Sequence, residues 1–249
     1  MQRRIIPILV VSEGSVWHTR EFKPDIYLGD AVNIARLYSD LEADEIVVFE
    51  TSKKSNIFDE NFLENLAAEV RVPISYGGGI ATLEDADFVF GQGIERIIIK
   101  INEQNKLKLI QQVSDKYGSQ AVVGCINFKS KSMNSDMQQM CTARDNFEKL
   151  AIDTLKSGVG ELLLQDISLS GTRSGINLSI VEKIVNSSPK PVVLGGGVNN
   201  LDCIINAFRN GIAGVGVSTF FSLSKSTNAP LISYISKRER ELISSGIYG

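Results

Sequence analysis

Val72-Pro73-Ile74-Ser75-Tyr76-Gly77-Gly78-Gly79-Ile80 returns later in the chain as Lys190-Pro191-Val192-Val193-Leu194-Gly195-Gly196-Gly197-Val198. In both copies a short apolar run, the pattern of a strand buried on both faces, meets three consecutive glycines. Each copy then runs into a helix opening, Thr82-Leu83-Glu84-Asp85 and Asn200-Leu201-Asp202, where Thr82 and Asn200 read as N-caps. Farther on, Gly93-Ile94 matches Gly211-Ile212 ahead of another apolar strand. Upstream, Asp44-Glu45-Ile46-Val47-Val48-Phe49-Glu50 matches Gly160-Glu161-Leu162-Leu163-Leu164-Gln165-Asp166. The offset holds at 116 to 118 residues (44 to 160, 72 to 190, 93 to 211). The chain reads as two similar halves, about 1–119 and 120–249.

Outward from these loops, apolar runs at 4–11, 45–50, 72–76, 96–101, 120–127, 161–166, 191–195 and 212–218 alternate with amphipathic helical stretches. Eight parallel strands with intervening helices in 249 residues is the size of a (β/α)8 TIM barrel. A doubly wound open sheet shows the same alternation but does not explain two equal halves. The expected fold is α/β, a single barrel over 1–249, with its functional side at the C-terminal ends of the strands.

Composition removes several function classes. With 26 basic and 29 acidic residues and a net charge of −3, the chain lacks the basic surface that nucleic acid requires. Its single histidine, His18, excludes a multi-histidine metal site and leaves little for a histidine-centred triad. Cys125, Cys141 and Cys203 are odd in number and form no CxxC, so neither zinc nor a disulfide framework is expected. The run Ile5–Val11 is too short for a membrane span, and no cleavage site follows it. The expectation is a cytoplasmic protein without membrane, metal or cofactor.

Gly77-Gly78-Gly79 and Gly195-Gly196-Gly197 each close a strand and precede a helix. Backbone N–H groups free of any Cβ, at a helix N-terminus, are suited to an anion. Two such loops on one mouth suit a phosphorylated small molecule, with Gly171, Thr172 and Ser218 as further donors. The alternative is that the glycines only make tight turns.

Arg4-Ile5-Ile6-Pro7, Ala43-Asp44-Glu45, Tyr76-Gly77-Gly78-Gly79-Ile80, Tyr117-Gly118-Ser119-Gln120-Ala121-Val122-Val123, Gly160-Glu161-Leu162-Leu163-Leu164 and Gly171-Thr172-Arg173-Ser174-Gly175 fall in one family's order and spacing. Over nearly its whole length the chain resembles the cyclase subunit, HisF, of imidazole glycerol phosphate synthase. The resemblance implies a glutaminase partner, ammonia passing up the barrel, and a phosphoribosyl substrate at the top worked on by two aspartates. At those two positions this chain has Val10, in Leu9-Val10-Val11, and Asn127, in Ile126-Asn127-Phe128. Neither exchanges a proton near neutral pH, as general acid–base catalysis demands. The family's phosphate-contacting Asn-Thr pair is replaced by Lys100-Ile101. No catalytic residue is therefore assigned. A rescue by Glu50 or Asp166 would preserve a cyclase (lyase) activity.

At the other end, Arg4, Glu45, Arg96 and Glu161 open their strands. Strand alternation places Arg4 with Ile6, Ile8 and Val10, and Arg96 with Ile98 and Lys100. If those faces point inward, four charges close a ring at the barrel floor, tolerable only because their signs alternate. The matching quartet of the family is its ammonia gate; the alternative is a salt-bridge plug. Above it Ile6, Ile8, Val47, Val123 and Leu163 would form an apolar bore, which suits neutral ammonia but equally describes an ordinary packed core.

The first loop, residues 12–30, resembles HisF-like subunits of surface-polysaccharide biosynthesis. Those work beside a HisH-like glutaminase and a separate sugar amidotransferase. The leading expectation is thus a HisF-like subunit that docks a HisH-like glutaminase at its floor and channels ammonia toward a sugar. The alternatives are a cyclase with substitute residues and a diverged phosphate-binding barrel. In the same reading His18 lies exposed in a mobile loop, Lys100 either compensates a phosphate or reaches solvent, and Cys125 fills core. Residues 129–134 form a loop over the mouth, and Lys237-Arg238-Glu239-Arg240-Glu241 is a solvated helix face.

Overall fold

A computed structural model describes residues 3–20, 23–52, 58–101, 105–130 and 144–245. Glu21, Phe22, residues 131–134 and Cys141 therefore lie outside the described residues. Eight parallel strands close on themselves: β1 (Arg4–Ser12), β4 (Ile46–Glu50), β5 (Ile74–Gly77), β6 (Arg96–Lys100), β7 (Val122–Phe128), β8 (Glu161–Asp166), β9 (Val192–Gly195) and β10 (Gly214–Val217). Pairing of Arg4 with Gly214 and of Ile8 with Val47 seals β1 between β10 and β4. The fold is a single (β/α)8 barrel. Its helices are α1 (Ala31–Asp40), α2 (Glu60–Glu69), α3 (Leu83–Gly91), α4 (Asn105–Tyr117), α5 (Arg144–Lys156), α6 (Glu182–Ser187), α7 (Leu201–Arg209), the short α8 (Thr219–Ser222) and α9 (Lys237–Ser245).

Alternation along each strand splits the core in two. Ile5, Leu9 and Val11 of β1 join the helices in a large outer core. Ile6, Ile8 and Val10 face inward with Val47, Ile98, Val123, Cys125, Leu163 and Val193. All nine inner side chains are buried, so the bore is filled by aliphatic groups as in other barrels. The runs read as near-continuously apolar because both faces of each strand are covered.

The two glycine loops make matching local contacts. Thr82 and Asn200 cap α3 and α7, accepting from the backbone N–H of Asp85 and Cys203. Gly78 and Gly196 have positive φ, and a Cβ on either would sit 2.5 or 2.4 Å from the carbonyl oxygen of Glu50 or Asp166. The same close approach, loop against the preceding strand end, thus recurs 118 residues apart. Only glycine meets both demands.

The first loop carries regular structure in its described residues. It folds as an antiparallel hairpin, β2 (Ser15–Arg20) and β3 (Lys23–Asp30), that extends β1. Glu13 and Gly14 both have positive φ (51° and 72°) between paired Ser12 and Ser15, the two-residue turn whose twist matches the flanking strands. His18, expected to be exposed, is 2% exposed. The chain then enters α1 through Asp30, whose carboxylate accepts from Asn33 N–H at 2.9 Å.

The C-terminal helix departs in part from a solvated face. Lys237, Arg238 and Glu241 are exposed. Arg240 instead donates to Asp44 Oδ1 at 2.6 Å and to the Glu42 carbonyl, while Asp44 accepts from Ile5 N–H. Tyr234 Oη donates to the Ile5 carbonyl at 2.6 Å. The C-terminal segment is therefore tied to the first strand at the barrel floor.

Candidate functional site

The floor is closed by four side chains from four strand starts. Glu45 receives Arg4 on one oxygen and Arg96 Nη1, at 2.7 Å, on the other. Glu161 does the same, with Arg96 Nη2 at 3.1 Å. Each carboxylate bridges both guanidiniums, so the ring alternates in sign and sums to zero. Glu45 and Glu161 are 2% and 4% exposed, while both arginines keep part of their side chains in solvent. Ser75 Oγ donates to Glu45 Oε1 at 2.5 Å, and Arg96 Nε to the Gln120 carbonyl. Burial alone would lower the Arg4 pKa, but Glu161 and Glu45 outweigh it and raise the value.

Directly above, the apolar inner core begins with Ile6 and Ile98. Val10 is one of its members at 3% exposure. Cys125 is core filling: burial pushes its thiol up to about 12, against a smaller opposite effect of Lys100. Its Sγ lies 3.6 Å from Asn127 Oδ1. No nucleophile arises there, because the thiolate is the reactive species.

The mouth divides into two unlike parts. On the side of the first half, Gly77, Gly78 and Gly79 line a cavity of about 460 Å³ with Lys100, Lys106, Glu50 and Asn127. That volume is in the ordinary range for a small ligand. Lys106, at the start of α4, escaped sequence reading because a lysine beside a polar loop carries no distinguishing signal. Glu50 is held at the rim, its Oε1 accepting from Ser52 N–H and Oγ at 2.8 and 2.5 Å. Burial first, then the charges of Glu50 and Asp59, raise the Tyr76 hydroxyl well above its usual pKa.

On the side of the second half, Gly171, Gly196, Gly197 and Ser218 line a void of about 20 Å³. The hairpin lies against it: a Cβ on Gly171 would fall 1.9 Å from the Thr19 carbonyl oxygen. Thr172 is spent locally, its Oγ1 donating to the Leu169 carbonyl at 2.8 Å. Arg173 points its terminal nitrogens at the carbonyls of Thr219, Leu223 and Ser224. Gly195 has no room for a side chain because Gln165 Oε1 would lie 2.1 Å from it. Asp166 turns into its own loop and accepts from Ser168 Oγ at 2.7 Å. His18 Nδ1 stands 3.3 Å from Asp25, yet burial outweighs that partner and lowers the His18 pKa.

Among the described residues no group of three histidine, cysteine or acidic side chains is placed to hold a metal. Among the same residues no helix is long and apolar enough to cross a membrane.

Comparison with known proteins agrees with this architecture. The family described as histidine biosynthesis protein matches residues 4–226. A Leptospira borgpetersenii protein named for imidazole glycerol phosphate synthase subunit HisF is 32% identical, with 98% of this chain and 99% of that protein aligned. A Pseudomonas aeruginosa protein named for subunit hisF2 is 31% identical over 94% of this chain and 96% of its own length. The HisF subunit of an Exiguobacterium species is 30% identical over 84% of each chain.

Proposed function

Because this chain belongs to the histidine biosynthesis protein family, as a HisF-like member, we propose that it is the barrel subunit of a glutamine-dependent amidotransferase complex. In this reading a HisH-like glutaminase docks on the floor, the ring Arg4, Glu45, Arg96 and Glu161 is the ammonia gate, and ammonia leaves at the mouth. The observation that carries it is the pairing of an intact, alternating charge ring at the floor with Val10 and Asn127 on the inner strand faces above it. Val10 and Asn127 stand where the family's aspartates act, so the cyclase step is lost while the conduit is kept.

Ammonia passes when the packed side chains of the bore move apart, and their apolar character favours the neutral molecule over ammonium, whose desolvation is costly. Delivery is toward a surface-polysaccharide sugar through a separate amidotransferase, and the complex is cytoplasmic. The two half-barrels, 1–119 and 120–249, divide the labour: the first-half loop with Lys100 and Lys106 takes a phosphorylated acceptor. The second-half loop, Gly195 to Gly197 with Gly171, Thr172 and Ser218, takes an anion only when the hairpin lifts off.

Co-expression with the cognate HisH-like glutaminase tests the reading. A stable complex with raised glutaminase turnover supports it; no complex and unchanged turnover overturn it. A second reading, a cyclase using Glu50, draws on the presence of Glu50, Lys100 and Asn127 around one cavity. Phosphoribosyl substrate plus ammonium salt at alkaline pH decides that question, with turnover above background reviving it.

A further inference from the structure

The start of β1 is held differently on its two sides. Toward β10 it is paired from Arg4 itself, whose N–H donates to the Ala213 carbonyl at 3.0 Å. Toward β4 the register begins only with Ile8 and Val47, and Pro7 has no N–H with which to extend that ladder to the floor. Ile5 faces β4 by the same alternation that lets the Val11 carbonyl accept from Thr51 N–H. Its backbone groups therefore need other partners. Side chains supply both. Ile5 N–H donates to Asp44 Oδ2 at 2.8 Å, and the Ile5 carbonyl accepts from Tyr234 Oη at 2.6 Å.

Asp44 is in turn fixed from outside the barrel. Its side chain is only 11% exposed, and its second oxygen accepts from Arg240 Nη1 at 2.6 Å. Arg240 Nη2 donates to the carbonyl of Glu42, which has a positive φ of 57° in the turn leading from α1 to β4. The Tyr234 ring lies 5.6 Å from the same guanidinium and meets Tyr38 edge-on at 6.3 Å. Burial, then the charge of Asp44, raises the Tyr234 hydroxyl pKa, which keeps it a donor near neutral pH. Asp44 precedes Glu45 and Ile5 follows Arg4. The Ile5–Asp44 bond thus crosses the gap between β1 and β4 one residue away from the Arg4–Glu45 ion pair.

We propose that Arg240 and Tyr234 are positioning residues of the charge ring: acting through Asp44 and Ile5, they let the C-terminal segment fix the spacing between Arg4 and Glu45. Neither is bonded to a ring residue. The ring joins side chains from four strands, and charge-assisted bonds of this kind hold only over a narrow range of distances. Any rearrangement that parts Arg4 from Glu45 strains the clasp one residue away, and any shift of α9 is passed to the ring. The consequence for a docked partner rests on the conduit reading above, whereas the mechanical link does not.

The test uses the isotope-labelled full chain and follows the exchange of the Arg4 Nε–H with water by NMR. Tyr234→Phe removes one hydroxyl and is expected to speed that exchange about three- to tenfold, the loss of one hydrogen bond. Arg240→Gln removes a charged bond and is expected to act at least as strongly. Lys237→Gln takes a charge from the exposed face of the same helix and is expected to leave Arg4 unmoved. The Arg173 Nε–H, at the mouth, serves as the control for general loosening, and backbone amide spectra report that each variant folds.

A clasp with a merely structural role would lower the urea midpoint of Tyr234→Phe and Arg240→Gln while Arg4 exchange stayed as in the wild type. That result overturns the proposal. So does an equal acceleration at Arg173, or the same response to Lys237→Gln. Co-purification with the HisH-like glutaminase keeps the two ideas apart. No complex with the wild type defeats the conduit reading and leaves the link standing, whereas a stable complex with Arg4 exchange unchanged in both clasp variants defeats the link alone.

Discussion

At the floor of the barrel every charge meets two opposite charges; at the mouth Lys100 and Lys106 face a cavity, and no ion pair joins either to a described residue. The same contrast holds for shape. The floor is a closed ring over a filled core, whereas the mouth splits into a cavity of about 460 Å³ and a void of about 20 Å³. Full pairing at one end is what burial of carboxylates imposes, since an unpartnered charge there would be far more costly than the pair is favourable. The sparse mouth has no such constraint. The fold is thus committed at the floor and left free for a ligand at the mouth.

The strongest way to break this comparison is to take one charge from each end. Glu161→Ala takes one of two carboxylate partners from each arginine and leaves both on Glu45 alone, and the expected loss is about 3–5 kcal/mol of unfolding free energy in urea titration. Lys100→Met, made at an exposed position, is expected to change stability by less than about 0.5 kcal/mol. Equal costs would mean that the ring is not the floor's principal constraint.

The two glycine loops sharpen the comparison between halves. Gly78→Ala and Gly196→Ala each push a Cβ against a backbone carbonyl at a positive φ. Both are expected to cost about 1–3 kcal/mol, the range for a strained backbone position. A large cost in one half and none in the other would show that the halves are not equivalent in their loop packing.

A smaller effect separates the hairpin from the barrel it covers. Burial holds the His18 pKa below its ordinary 6.5, so the opened hairpin binds the proton more readily than the closed one. Hairpin stability is therefore intact above about pH 6.5 and declines as the pH falls through that value toward the folded pKa. Trp17, the one tryptophan of the chain, lies on the same strand and packs edge-on against Tyr27 at 5.6 Å. Its emission is expected to change on mild acidification and to lose that response in His18→Gln. A flat wild-type profile would show that His18 is not what couples the hairpin to pH.

The smallest expected signal comes from the thiols. Cys125, with its pKa at about 12, should resist thiol reagents in the native protein at mildly alkaline pH, while partly exposed Cys203 reacts. Mass spectrometry of the labelled peptides reads the difference. Fast labelling of Cys125 would mean that the bore opens.

Much of this was legible in the sequence because the barrel's rules are local. Eight apolar runs lie within two residues of the observed strands, and Thr82 and Asn200 cap the helices they announce. Two-residue alternation also brings Arg4 and Arg96 onto the inner face with their glutamate partners. The hairpin was missed although Glu13-Gly14 is a usable turn signal, because no strong alternation follows it in residues 23–30. The void was not legible at all. It arises where Thr19 meets Gly171 and where Arg173 turns to Thr219, contacts between distant segments that no local pattern encodes. Gln165 carries no sequence signal either, since the unpartnered state of its Oε1 depends on how distant segments pack.

The central claim is that the closed floor is a docking gate and the mouth an outlet. Glutaminase turnover of the HisH-like partner, measured with and without this chain, tests it most directly. The account predicts a one-to-one complex and a rise of about tenfold or more, within the ordinary range of allosteric coupling. Turnover that stays the same, with no complex formed, would contradict it.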